Sequence, residues 1–160
     1  MNPDLLAAQK LAYESCGWIC QNLVQDEESA AYGACSFSLN HRRIQFRTGK
    51  ITPTKNGQFV TLWKRIPSGV IAPYDSTDPI DLVVISVRSG ERWGQFIFPK
   101  DVLMKKNILS IEGKGGKRAL RVYPPWDIAE SKQAKQTQIW QQKYFLELPC
   151  AASRVLSYFS

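Results

Sequence analysis

The sequence predicts one mixed α/β domain over residues 1–160, and three observations carry the prediction. The chain has 160 residues, 44% of them hydrophobic, which is enough for a core but short for two ordinary domains. Apolar residues recur at a helical period near both ends. Between those ends, runs alternate apolar and polar residues as half-buried strands do.

Taken in order, Pro3 sits at a first helical position, and Leu5, Leu6, Ala8, Leu11, Ala12, Trp18, Ile19 and Leu23 follow close to a helical period. This predicts an amphipathic helix over 3–24, broken or strained near Gly17. After the acidic Asp26-Glu27-Glu28, the alternation of Cys35, Phe37 and Leu39 and then of Ile44 and Phe46 predicts two strands, with the turn at His41-Arg42-Arg43. Pro53-Thr54-Lys55-Asn56-Gly57 is a strong turn signal ahead of the β-forming Phe59 to Trp63, so a hairpin with a lysine at its tip is expected. Leu82-Val83-Val84-Ile85-Ser86-Val87 is almost continuously apolar and predicts a central strand covered on both faces. Ser89 to Arg92 then turns into a strand from Trp93 to Phe98, and Pro99 opens a helix over 100–106. Short apolar stretches at 108–111 and 119–123 flank Gly113-Lys114-Gly115-Gly116-Lys117-Arg118. The last helix is expected from about Ile128 to about Leu146, with Ile139, Trp140, Tyr144 and Phe145 facing inward.

No apolar run approaches the roughly 20 residues that cross a bilayer. The start, Met1-Asn2-Pro3-Asp4, lacks the basic and apolar regions of a secretory signal, so a cytoplasmic protein without membrane attachment is expected. Cys16, Cys20, Cys35 and Cys150 are too few and too scattered for a disulfide framework and are read as reduced. Cys16 and Cys20 do not complete a zinc shell, since His41 is the single histidine and no second close cysteine pair exists. That histidine, placed in a turn, also leaves Ser–His–Asp and Cys–His hydrolysis without a base.

The net charge of +7 is unevenly spread. Residues 1–40 carry −4, residues 41–65 carry +7 with no acid, 66–99 carry −2, 100–121 carry +5 and 122–160 carry +1. Two basic blocks therefore flank an acidic centre. A solvated face would account for some of the lysines, but blocks of this sign, interleaved with glycine and glutamine, point to a polyanion.

Several ordered motifs resemble the MepB family: Phe46-Arg47, the run from Thr52 to Arg65, Gly94-Gln95-Phe96-Ile97-Phe98-Pro99-Lys100, Gly116-Lys117-Arg118-Ala119, the run from Arg121 to Trp126, and Gln133-Ala134 with Thr137-Gln138 and Trp140-Gln141. The resemblance spans most of residues 32–145. It implies a restriction-endonuclease-like α/β core, a mixed sheet flanked by helices, shared by nucleases and by nuclease-derived binding proteins. A nuclease of that fold needs an acid at the start of one strand and a (Glu/Asp)-x-Lys on the next, to hold Mg²⁺ and steer water. Asp81 and Lys100 stand where the resemblance implies the first acid and the lysine, but Phe98 replaces the second acid and cannot ligate a hard cation. Gln95 could stand in as a neutral oxygen ligand, with Asp78 or Glu14 adding charge, at the cost of a weaker metal shell. A strand-entry carboxylate paired with a base, and a first-turn helix lysine, are the equal structural alternatives.

Binding asks less than cleavage does. Gly113 to Arg118 could form a phosphate nest, although such Gly/Lys loops are more often plain turns. The sequence thus points to a nucleic-acid binder with a nuclease-like fold and a degenerate catalytic centre. Its candidate contacts are Arg47, Lys55, Gln58, Lys64, Arg65, Lys100, Lys114, Lys117, Arg118, Arg121 and Gln138, with DNA placed ahead of RNA. No cofactor or metal is expected; Mg²⁺ enters only under the alternative, a nuclease using Asp81, Gln95 and Lys100. A small-anion or protein-partner module is the third class.

Overall fold

The computed structural model describes all 160 residues. Its centre is a six-stranded mixed sheet in the order β1-β2-β3-β8-β9-β11. These strands are β1 (Gln21–Gln25), β2 (Cys35–Leu39), β3 (Arg42–Thr48), β8 (Leu82–Ser89), β9 (Arg92–Pro99) and β11 (Phe145–Glu147). Every pairing is antiparallel except β3 with β8. Parallel neighbours need a long crossover, usually helical. Here residues 49–81 supply it with strands instead: β4 (Lys50–Ile51), β5 (Gln58–Thr61), β6 (Trp63–Arg65) and β7 (Ile71–Pro73). β4 and β5 join β10 (Ala119–Val122) in a small sheet ordered β10-β5-β4, while β6 pairs with β7.

The run at 82–87 behaves as its composition demands, because all six residues are buried and its alternate side chains feed two cores. Leu82 and Val84 join one core with Leu5, Tyr13, Phe46, Ile97, Val155 and Phe159. That face is covered by α1 (Pro3–Ala8), by the π and 3₁₀ turns that continue it to Cys16, and by α4 (Ala152–Phe159). Val83, Ile85 and Val87 join the other with Val60, Leu120, Val122, Phe96 and Phe98, under the small sheet and α2 (Lys100–Lys105). Trp140 of α3 (Lys132–Gln142) and Tyr144 pack against it. Phe96 and Phe98 stack at 5.5 Å in this second core. The fold is thus a mixed sheet flanked by helices, as the resemblance implied.

Four elements differ from the sequence expectation. The first helix yields at Gly17, in the left-handed region at φ 78°, and residues 21–25 become the edge strand β1 rather than a continued helix. Asn40 and His41, both at positive φ, make the β2–β3 turn, which leaves Arg42 and Arg43 in the strand. The last long helix is shorter than predicted: Ile128 lies outside it, Ile139 is 64% exposed, and Phe145 pairs with Phe96 in the sheet. The helix α4, carrying buried Val155 and Phe159 at an i, i+4 spacing, was not read from the sequence. No helix is long and apolar enough to cross a membrane.

Gly57-Gln58-Phe59-Val60 and Gly94-Gln95-Phe96-Ile97 repeat one sequence pattern, and the two copies are alike in structure. In each, a buried glycine lies under an aromatic ring, that of Tyr123 or Phe145, where a Cβ would collide. The glutamine that follows is sealed from solvent, Gln58 at 1% exposure and Gln95 at 0%.

Candidate nucleic-acid interface

Antiparallel pairing of β5 with β10, and of β4 with β5, brings the two basic blocks into one sheet. Lys50 and Arg121 are both register partners of Phe59. Side chains directly opposite in such pairs have Cβ atoms roughly 4.5–5.5 Å apart and share a face. The inward positions of that sheet, Val60, Leu120 and Val122, belong to the core, so Phe59, Arg121 and Lys50 point outward. Tyr32, on the 3₁₀ turn Ala30–Tyr32, meets the Phe59 ring edge-on at 6.2 Å. Lys50 Nζ lies 4.6 Å from the Tyr32 ring centre, and the Arg121 guanidinium 5.8 Å from that of Phe59. Cations and half-buried rings therefore alternate across one face.

Arg121 also donates to Thr52 Oγ1 at 3.0 Å and to the Asn56 carbonyl at 3.2 Å, fixing the hairpin that presents Lys55. At the other end of β10, Lys117 and Arg118 are exposed. The molecule has five ion pairs, and none of them uses Lys50, Lys55, Lys117, Arg118 or Arg121. From Val122 to Arg118 the strip is about 13 Å long at ~3.3 Å per residue.

The other expected contacts are placed differently. Arg47 is 0% exposed and donates to the carbonyls of Phe46 at 2.8 Å and Thr61 at 3.2 Å, so it is a strut between the two sheets, not a surface contact. Gln58 donates to the Arg88 carbonyl, and Gln138 to the carbonyls of Pro124 and Asp127. Both amides are occupied by the protein's own backbone. Lys64 is paired with Asp78 at 2.7 Å and Arg65 with Glu28 at 2.7 Å. Lys100 lies away from the strip, its Nζ donating to the Asp78 carbonyl at 2.8 Å.

Gly113 to Arg118 is not an open anion nest. The Gly113 amide donates to Asp75 Oδ1, Gly116 to Asn107 Oδ1, Lys114 to the Ile111 carbonyl and Lys117 to the Ile108 carbonyl. Asp75, 7% exposed, takes the place an external anion would fill. Hydrogen bonds from Ser110, then Gly113 and Thr77, hold its carboxyl well below the usual carboxylate range. The side chain of Lys114 remains exposed on this loop. Tyr32, Lys50 and Phe59 are not legible from the sequence as neighbours of Arg121, because strand register and the packing of the Ala30–Tyr32 turn on Phe59, not sequence proximity, bring them together.

Asp81 and Lys100 come together; Gln95 does not join them. Asp81 and Lys100 line the same cavity, and the Lys100 amide donates to the Asp81 carbonyl. Hydrogen bonding by the Arg43 guanidinium lowers the Asp81 carboxyl to about 2, with Nε and Nη2 each 3.0 Å from a carboxylate oxygen. Pro99 pairs with Leu82, but Gln95 pairs with Ser86, four residues along and about 13 Å away at ~3.3 Å per residue. There Gln95 Oε1 accepts from the buried Tyr13 hydroxyl at 2.8 Å. Phe98 points into the core beneath the small sheet. No group of three His, Cys, Asp or Glu side chains is close enough to hold a metal.

Set beside known proteins, the sequence matches the family model described as MepB-like over residues 26–147. A solved structure described as the crystal structure of MepB has a TM-score of 0.80 at 34% identity, covering 94% of this chain and 100% of that one. Another, of a bacterial homing endonuclease, has a TM-score of 0.44 at 14% identity, covering 87% of this chain and 92% of that one. No curated protein matches the sequence.

Proposed function

The chain belongs to the MepB-like family, and from that membership and the geometry above we propose that it binds nucleic acid through the outer face of the β10-β5-β4 sheet. The observation that carries the proposal is the row Lys50–Phe59–Arg121, which joins residues from both basic blocks beside Tyr32. Lys50, Lys55, Lys117, Arg118 and Arg121 would neutralise phosphates, a contact that supplies affinity without sequence preference. Phe59 and Tyr32 would take unstacked bases, which sets this face apart from a merely basic one. DNA is the polymer we place first, in the cytoplasm.

In this reading the nuclease-like centre is degenerate. Asp81 is engaged by Arg43, Phe98 is core, and Gln95 is sealed against Tyr13. Fluorescence anisotropy with labelled single strands and duplexes tests the interface. Arg121→Ala and Lys50→Ala should weaken binding severalfold, whereas Arg92→Ala, which breaks a surface pair with Glu147, should not. Equal binding by all three variants would refute the assignment.

One observation favours the alternative, a Mg²⁺-dependent nuclease: Asp81 and Lys100 share a cavity wall. Cleavage of plasmid or short RNA with Mg²⁺ or Mn²⁺ that disappears in Asp81→Ala would establish it in place of the binder.

A further inference from the structure

The cavity at the far end of the central strands has a chemistry of its own. It has a volume of about 730 Å³, within the range of roughly 300–1,000 Å³ usual for small-molecule sites. Four cations from four separate elements line it: Arg42 of β3, Lys100 of α2, Lys143 just after α3, and Arg154 of α4. Only two acids, Asp81 and Asp101, line it with them. The charge of Asp81 is already matched by Arg43, and Lys100 is held by the Asp78 carbonyl. Arg42, Lys143 and Arg154 are exposed, take part in no ion pair, and make no side-chain hydrogen bond within the protein. Against these three cations the lining sets one side-chain carboxylate outside any ion pair, Asp101, which leaves an excess of positive charge in an open cavity.

Apolar and planar side chains share the rest of the lining with Ser157 and Ser160. Leu82 and Ile97 are core residues whose edges form part of the wall. Tyr158 is oriented by its hydroxyl, which donates to the Phe145 carbonyl at 2.9 Å, and Tyr144 packs against Phe98 at 6.0 Å. A flat ring has tyrosine and aliphatic surface to lie on, and an anionic tail has three unengaged cations to meet. We infer that this cavity binds a nucleoside phosphate, with Arg42, Lys143 and Arg154 on the phosphates and the Tyr144–Tyr158 wall against the base. It is separate from the proposed polymer interface. The small sheet reaches β8 at Arg88, through Gln58, while the cavity opens at Leu82. Those positions are about 20 Å apart at ~3.3 Å per residue.

Calorimetric titration of the full chain tests the inference, using ADP, pyrophosphate and adenosine as probes. ADP should bind with a dissociation constant below about 1 mM, pyrophosphate more weakly, and adenosine weakest. Arg42→Ala and Arg154→Ala should each cost ADP affinity about tenfold, the size of one charge-assisted contact. Arg121→Ala should leave it unchanged. All three side chains are at least partly exposed, so unaltered thermal melts will show that the variants fold, and Lys143→Ala provides a further cation if either arginine variant does not. A 5′-phosphorylated oligonucleotide that displaces ADP, where its unphosphorylated twin does not, would assign the ligand to a strand end. Failure of both to displace it would assign a free nucleotide. Absence of ADP binding, binding that survives both arginine substitutions, or equal loss in Arg121→Ala would overturn the inference.

Discussion

Replacing Tyr13 by Phe is expected to destabilise the fold without touching nucleic-acid binding, and its size follows from the surroundings of Gln95. Both side chains are 0% exposed, and the Tyr13 hydroxyl donates to Gln95 Oε1 at 2.8 Å. Gln95 Nε2 already lacks a partner. The substitution would leave the buried amide wholly unpaired, at a cost of about 1–3 kcal/mol. For a chain of this size that corresponds to roughly 2–12 °C in Tm, taking about 2–4 °C per kcal/mol. Gln95→Met, similar in volume, strands the hydroxyl and should cost about the same. The double variant removes both polar partners and should come close to wild type. Urea denaturation of the four proteins closes the cycle, with an expected coupling of about 2–6 kcal/mol in magnitude, the sum of the two single costs. Strict additivity would refute the claim that Gln95 is a sealed structural partner. So would loss of a metal-dependent cleavage activity in Gln95→Met, because Gln95 would then be acting as a ligand.

Asp81→Asn addresses the pair with Arg43. Because the folded carboxyl titrates at about 2, below its ordinary 3.8, the pair's contribution is present above pH 4 and is lost as pH falls through 2. Wild type should therefore melt above the variant at neutral pH, and the gap should close in acid; a gap that widened in acid would reverse the sign. Gly94→Ala drives a Cβ into the Phe145 ring and within 2.8 Å of the Leu146 carbonyl, where β9 passes β11. A loss of about 1–3 kcal/mol is expected, and an unchanged Tm would refute this packing. Burial pushes the Cys35 thiol up to about 11 and the Cys20 thiol up to about 12. Native protein at pH 8 should leave Cys35 unlabelled by a thiol reagent until urea exposes it, and rapid native labelling would contradict its burial.

What the sequence made legible was local. The β-branched run at 82–87, the turn after it and the proline opening α2 each carry their signal within a few residues, and each is found where expected. The conversion of 145–147 to a strand was hidden because Phe145 suits a helix face as well as a strand, and only β9 decides between them. Similarly, Arg47 and Gln58 read as surface groups by residue type. Their burial depends on carbonyls of Thr61 and Arg88 that are distant in sequence. The glycine loop at 113–118 looked open because its occupant, Asp75, lies 38 residues from Gly113. The two basic blocks were visible as charge, but the Lys50–Phe59–Arg121 row exists only through strand register.

The salt dependence of nucleic-acid affinity tests the central claim most directly. Five cations on phosphates predict a slope of log Kobs against log salt of about −4.5 on duplex or about −3.5 on a single strand, at roughly −0.9 or −0.7 per contact. Arg121→Ala should reduce the magnitude of that slope by about one contact's share. A slope near zero, or one that Arg121→Ala leaves unchanged, would contradict the assignment of this face as the binding surface.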